Sequence, residues 1–242
     1  MMGSTFDMNR KKLSPVFAIV WIAVIIVLFA VVNKFQPGGQ DDQVPQGNSA
    51  AATPQPADAD LAKAWSSIIK QSLVPPLGNR AAKFTIVEFG DFQCPQCGEA
   101  RTHLEDEVTA SHGTMCLYFF NRPLVRPHPF ALAAAEAAYI AAEHGRFWPM
   151  YDTLYKHQDD LGPSKLPKYA KEAGVDPAVF SSEMASHKFA AHIKADAALC
   201  DSLKINGTPS VAVRNNKTGA IKFGIGKNGM VDAFAKQGLE LL

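Results

Sequence analysis

The chain has 242 residues, 47% of them hydrophobic and 19% charged, a balance that excludes wholesale disorder and fits one or two globular domains. Lys and Arg number 24 against 23 Asp and Glu, and the resulting formal charge of +1 gives no basic footprint for nucleic-acid binding. Four cysteines are too few for a disulfide-built miniature scaffold, but an even number in an exported protein raises the question of pairing.

Residues 15–32 read PVFAIVWIAVIIVLFAVV, an uncharged apolar run of 18 residues preceded by Arg10, Lys11 and Lys12. That length reaches what a helix needs to cross a hydrocarbon core about 30 Å thick. Beyond Lys34 the next charges are Asp41 and Asp42, so the basic end is expected in the cytoplasm and the C-terminal bulk outside it. Ala30-Val31-Val32-Asn33 offers no good cleavage site, which favours an uncleaved anchor. Residues 1–14 are then a cytoplasmic tail and 15–32 a single-pass transmembrane helix in the cytoplasmic (inner) membrane. Residues 33–60, rich in Gln, Pro, Gly and Ala, form a disordered linker to a folded domain at 61–242 in the periplasm or an equivalent space.

In the folded part, Leu61, Trp65, Ile68, Ile69 and Leu73 recur at helical spacing and predict a helix over 60–73, ending before Pro75-Pro76. KFTIVEF at 83–89 reads as a buried strand that runs into a cysteine loop and a helix of about 15 residues. MCLYFF at 115–120 is a second strand, closed by Asn121-Arg122-Pro123. A helical block follows over about 129–205, with Phe147-Trp148-Pro149 opening one segment and Asp176-Pro177 supplying an N-cap and first helical residue to another. After Gly207-Thr208-Pro209 come a hairpin, SVAVRN and AIKFG about a turn at 215–219, and a last helix over about 229–241. This order predicts a mixed α/β domain with helices inserted between its halves. The GxGxxG at Gly224 to Gly229 lacks a βαβ unit and a downstream acid, so it reads as a turn; Asn216-Lys217-Thr218 reads as part of the polar hairpin turn.

The chemistry centres on Cys94-Pro95-Gln96-Cys97. Cysteines two residues apart at a helix start place one thiol in the first turn, where unpaired amides and the helix dipole stabilise a thiolate, and the other one turn behind. Cys94 is therefore the expected nucleophile and leaving group, and Cys97 the thiol that resolves a mixed disulfide. A structural zinc would need two further ligands that the spacing of Cys116, Cys200 and the histidines does not provide, so no metal is expected, nor any cofactor besides the Cys94-Cys97 disulfide. Glu88, on the strand before the loop, is a candidate buried acid for the resolving thiol's proton; the alternative is an acid that reaches solvent at a strand end. Pro209 is a candidate cis-proline whose neighbour Thr208 could present its edge to an extended substrate. Cys116 and Cys200 are either a structural disulfide or two buried free thiols.

IVEFGDFQCPQC, followed about 110 residues later by GTP, resembles the DsbA-like members of the thioredoxin superfamily. VPPLGN at 74–79, Arg122-Pro123-Leu124, the helical AAAEAAYIAAEHGRFWPMYDTLY and INGTPSVAV extend the resemblance over about 74–242. It implies a thioredoxin fold with a helical insertion, Cys94 as nucleophile, Cys97 as resolving thiol, Glu88 as buried acid, and Thr208-Pro209 as a cis-proline loop facing the disulfide. Pro95 and Gln96 are then the dipeptide that tunes the redox potential, and an uncharged Gln96 implies a less oxidising couple than a histidine there. The implied activity is protein thiol-disulfide oxidoreduction on cysteine-containing exported proteins, with reoxidation by a quinone-linked membrane partner, DsbB-like or VKOR-like. Isomerase and reductase are the alternatives within the fold, the former because Thr208 resembles the isomerase side. A peptide-binding chaperone and a Cu(I)-handling protein are the rivals outside it.

Overall fold

The computed structural model describes residues 58–236 and Gly238. The expected cytoplasmic tail at 1–14, the transmembrane helix at 15–32 and the linker up to residue 57 lie outside the described residues, as do residues 237 and 239–242. The last helix, expected over about 229–241, starts earlier, at Gly226, and ends at Ala235 with Lys236 as its C-cap. Among the described residues no helix is long and apolar enough to cross a membrane.

Helix α1 (Asp58–Gln71) begins three residues inside the expected linker: Asp58 and Asp60 in its first turn and Lys70 in its last complement the helix dipole. Its buried stripe is Leu61, Trp65 and Ile68, as the spacing requires. Each such side chain removed from water stabilises the fold by about 1.5–3 kcal/mol. Strand β1 (Leu77–Gly78) is followed by β2 (Phe84–Gly90), α2 (Pro95–Ala110) and β3 (Met115–Asn121). The inserted helices are α3 (Ala131–Glu143), α4 (Phe147–Lys156), a 3-10 turn (Gln158–Asp160), α5 (Leu166–Glu172), α6 (Pro177–Ala185) and α7 (Ala190–Ser202). Asp176 caps α6 as expected, its carboxylate accepting from the amides of Ala178 and Val179. The chain closes with β4 (Ser210–Asn215), β5 (Ile221–Ile225) and α8 (Gly226–Ala235).

The strands form one sheet in the order β1-β3-β2-β4-β5, in which β2 and β3 run parallel and the other pairs antiparallel. β1 escaped the sequence reading because two residues beside Pro75-Pro76 carry no alternation; it exists only as an edge pairing of Leu77 and Gly78 with Leu117 and Cys116. Along β2 the pleat sends Val87 and Phe89 into a layer shared with α1, while Ile86 packs with Leu104 of α2 and Phe234 of α8 on the opposite face. Glu88 shares the face of Ile86 and therefore points toward the inserted helices rather than to solvent.

The expected turn at Gly224 to Gly229 is corrected: β5 runs directly into α8, whose first residue, Gly226, has φ +68°. Its glycines serve close packing, since a Cβ on Gly224 would sit 1.8 Å from the Gly229 carbonyl oxygen. The hairpin turn at 215–219 is polar as expected, with the Asn215 side chain accepting from the amides of Lys217 and Thr218.

Candidate active site

Cys94 follows β2 as the N-cap of α2, and Pro95 occupies the first helical position, where no amide hydrogen is needed. The Cys94 carbonyl accepts from the amides of Cys97 (3.0 Å) and Gly98 (3.3 Å), which closes the first turn and turns Cys97 inward, where it is fully buried. Pro95 and Gln96 are exposed between the two thiols, so the reactive edge faces outward. Both cysteines are in the thiol state.

The two sulfurs titrate in opposite directions. Cys94 falls from 9.0 to about 5: the Cys97 thiol donates to it, the Thr208 side chain and the amides of Cys97 and Gln96 add to this, and partial burial opposes them. Cys97 is pushed well above 9.0, first by burial and then by its bond to Cys94 and the nearby Glu88 charge. One thiolate and one thiol at neutral pH is the division that disulfide exchange requires.

The Thr208-Pro209 peptide is cis, and it places the Thr208 carbonyl 3.5 Å from the Cys94 sulfur. Sequence spacing could not bring residue 208 to residue 94. β4 does so: its pairing of Ser210 with Phe89 sets the 208–209 loop beside the end of β2. The Thr208 hydroxyl is buried with no other partner, which leaves it free to donate to the thiolate.

Glu88 is fully buried, so the solvent-reaching alternative does not hold. Burial raises its carboxyl from 4.5 to about 8, against a hydrogen bond from the Tyr151 hydroxyl at 2.9 Å. The other carboxyl oxygen has no protein partner. Gly90, two residues on, allows the close approach of Phe119, whose ring lies 2.4 Å from where a Cβ would be. Behind the cysteines, Phe92, Phe119, Tyr151 and Tyr155 make an aromatic wall with ring centroids 4.9–5.8 Å apart. This wall keeps water from Glu88 and Cys97.

Three residues that position the site had no sequence signal. Asp91 is buried and accepts from the amides of Gln93 (2.8 Å) and Leu124 (2.7 Å) and pairs with His128 Nδ1 (2.8 Å), tying the cysteine loop to the segment after β3. Tyr151 reaches Glu88 from α4; its spacing to Tyr155 is helical, but only the packing shows which face it takes. Gln158 Nε2 donates to the carbonyls of Phe92 (2.7 Å) and Cys94 (2.8 Å), clamping the active-site turn from the inserted helices. Gln158→Leu is expected to raise the Cys94 pKa from about 5 by loosening that turn, and to cost about 1–3 kcal/mol for the carbonyl left unpaired. Thiolate absorbance against pH and denaturant unfolding check the two effects.

Cys116 and Cys200 do not form the disulfide that was one of their two readings. Both are buried free thiols in the α1-side core, where Cys116 bonds to Thr85 Oγ1 at 3.6 Å, and burial raises both pKa values, that of Cys200 to about 12. They act there as small apolar residues.

The family model described as thioredoxin matches residues 71–223, more than half the chain. A probable disulfide bond formation protein D from Bacillus anthracis is 29% identical over 225 residues, covering 86% of this chain and 90% of that protein. A solved thioredoxin-like oxidoreductase from Silicibacter pomeroyi superposes with a TM-score of 0.60 at 26% identity, covering 72% of this chain and 96% of that one. The chain also matches a Na(+)/H(+) antiporter NhaA 3 from Salinispora tropica at 37% identity over 140 residues, which are 58% of this chain but only 21% of the antiporter's length. On the family match and the fold together, the chain belongs to the thioredoxin family.

Proposed function

We propose that the protein is a membrane-anchored, extracytoplasmic oxidase that introduces disulfides into exported proteins through the Cys94/Cys97 couple. The observation that carries this reading is the opposed titration of the two thiols at the start of α2. A substrate thiolate attacks Cys94 in the oxidised pair; the S–S bond breaks and its electrons go to Cys97, which takes the proton of neutral Glu88. A second substrate thiolate attacks the substrate sulfur of the mixed disulfide and releases Cys94 as a thiolate. The substrate is oxidised by two electrons and the couple is reduced by two. The apolar run at 15–32 with its basic flank supports the location, and the name of the Bacillus anthracis relative supports the direction. Reoxidation then falls to a quinone-linked membrane partner within reach of the anchor.

A Cys94 pKa of about 5 in place of 9.0 stabilises the reduced form at pH 7 by about 3 kcal/mol, which makes the couple about 60 mV more oxidising than a pair of ordinary thiols. The full chain with Cys116→Ala and Cys200→Ala, equilibrated against glutathione buffers, is expected to show a potential above that of glutathione. A potential near about −270 mV, that of thioredoxin, would instead make it a reductase.

A further inference from the structure

On the sheet face covered by α1, at the end of the domain remote from the cysteines, the surface opens into a cavity of about 530 Å³. Lys70, Arg80 and Arg214 line it together with Trp65, Tyr118 and Asn216, and no acidic residue does. Among the described residues, none of these three cations takes part in an ion pair. In a chain with a formal charge of only +1, three unpaired cations around one cavity are a local concentration of charge.

Their placement is held by the fold. Asn216 Nδ2 donates to the Ala82 carbonyl (2.9 Å) and to Thr85 Oγ1 (2.8 Å), fastening the end of β4 to the start of β2. Its Oδ1 accepts from Arg214 Nη1 at 3.5 Å, and the Arg214 guanidinium lies 5.7 Å from the centre of the Trp65 ring. Arg80 sits in a turn in which Asn79 Oδ1 accepts the Ala81 amide and the Asn79 carbonyl accepts that of Ala82, both at 2.9 Å. Lys70 comes from the last turn of α1. Two guanidinium groups and an ammonium on three elements offer charge-assisted donors to several oxygens of one anion, which the three free oxygens of a phosphomonoester can accept. Trp65 and Ile69 supply an apolar wall beside the charges.

We propose that this cavity binds a phosphomonoester, its nearly dianionic phosphate held by Arg80, Arg214 and Lys70 and its carbon portion resting against Trp65 and Ile69. The seven residues of β2 put the cavity roughly 20 Å from the cysteine loop, so the ligand does not touch the reacting sulfurs. Two sources supply this chemistry: a phosphatidate headgroup at the membrane surface and a soluble ester such as glycerol 3-phosphate.

The test is calorimetric titration of the full chain in non-ionic detergent with glycerol 3-phosphate, with dihexanoyl phosphatidate and with dihexanoyl phosphatidylcholine. Saturable binding of one phosphomonoester per chain is expected, weakened at least tenfold by Arg80→Ala and by Arg214→Gln, with thiol-disulfide exchange unchanged in both variants. Binding of phosphatidate alone identifies the lipid as the source; equal binding of glycerol 3-phosphate identifies the soluble ester. No saturable heat with either, unchanged affinity in both variants, or succinate binding as tightly as glycerol 3-phosphate would overturn the proposal.

Discussion

Cys94→Ser is expected to abolish thiol-disulfide exchange, with a loss of more than about 10³-fold, because a serine hydroxyl at neutral pH is neither a nucleophile toward sulfur nor a redox partner. Oxidation of a peptide with two cysteines, followed by mass spectrometry, is the measurement. Turnover retained at even a tenth of the wild-type rate would remove Cys94 from the mechanism. Cys97→Ser is expected to fail differently: it can be captured by a substrate disulfide but has no inward thiol to release it, so a mixed disulfide through Cys94 accumulates on non-reducing gels. In the reduced wild type, alkylation by iodoacetamide should rise through about pH 5 and then flatten, since Cys94 is already a thiolate while Cys97 stays protonated. An inflection near pH 9 would mean that the helix start and the neighbouring donors do not stabilise the thiolate.

Glu88→Gln carries the second large effect, and it acts on both rate and stability. Resolution of a mixed disulfide with substrate needs the proton of Cys97, and Glu88 is the buried carboxyl whose charge Cys97 feels. Loss of a positioned acid-base group slows such a step by about 10²-fold or more. The release rate of the captured intermediate, measured from pH 6 to 9, should fall and lose its inflection near pH 8. A variant with the wild-type rate and pH profile would leave Glu88 with no part in proton transfer.

The stability effect has the opposite sign. The folded-state pKa of Glu88 is raised from 4.5 to about 8, so the folded protein must hold the acid neutral where the unfolded chain ionises it. The resulting penalty is absent below pH 4.5, grows from there to about pH 8, and reaches about 3 kcal/mol at pH 7. Glu88→Gln is accordingly expected to stabilise the domain at pH 7 by up to that amount and to have little effect at pH 4. The depressed Cys94 pKa runs the other way: its contribution to the reduced protein is complete above pH 9 and is lost as pH falls through about 5. In the reduced wild type the two dependences offset one another between pH 5 and 8. Denaturant unfolding of reduced and oxidised protein separates them, because the oxidised pair lacks the thiolate contribution.

Much of this site was legible in the sequence because its parts are local. Cys94-Pro95-Gln96-Cys97 determines by its own spacing and proline that one thiol caps a helix and the other turns inward. The short β-branched and aromatic run KFTIVEF and the stripe of Leu61, Trp65 and Ile68 determine a buried strand and the helix that covers it. The Asp176-Pro177 cap and the polar hairpin turn likewise need only neighbouring residues. The tertiary structure decided what depends on contacts between distant segments. Pairing of β4 with β2 brings Thr208 to Cys94, and packing of α4 and the 3-10 turn onto the cysteine loop brings Tyr151 to Glu88 and Gln158 to the Cys94 carbonyl. The separate thiols of Cys116 and Cys200, the two-residue strand at Leu77–Gly78 and the glycine contact that joins β5 to α8 are of the same kind. A residue's spacing determines which face of its own element it takes, whereas burial, desolvation and hydrogen bonding across the fold depend on what is packed against that face, which no local pattern encodes.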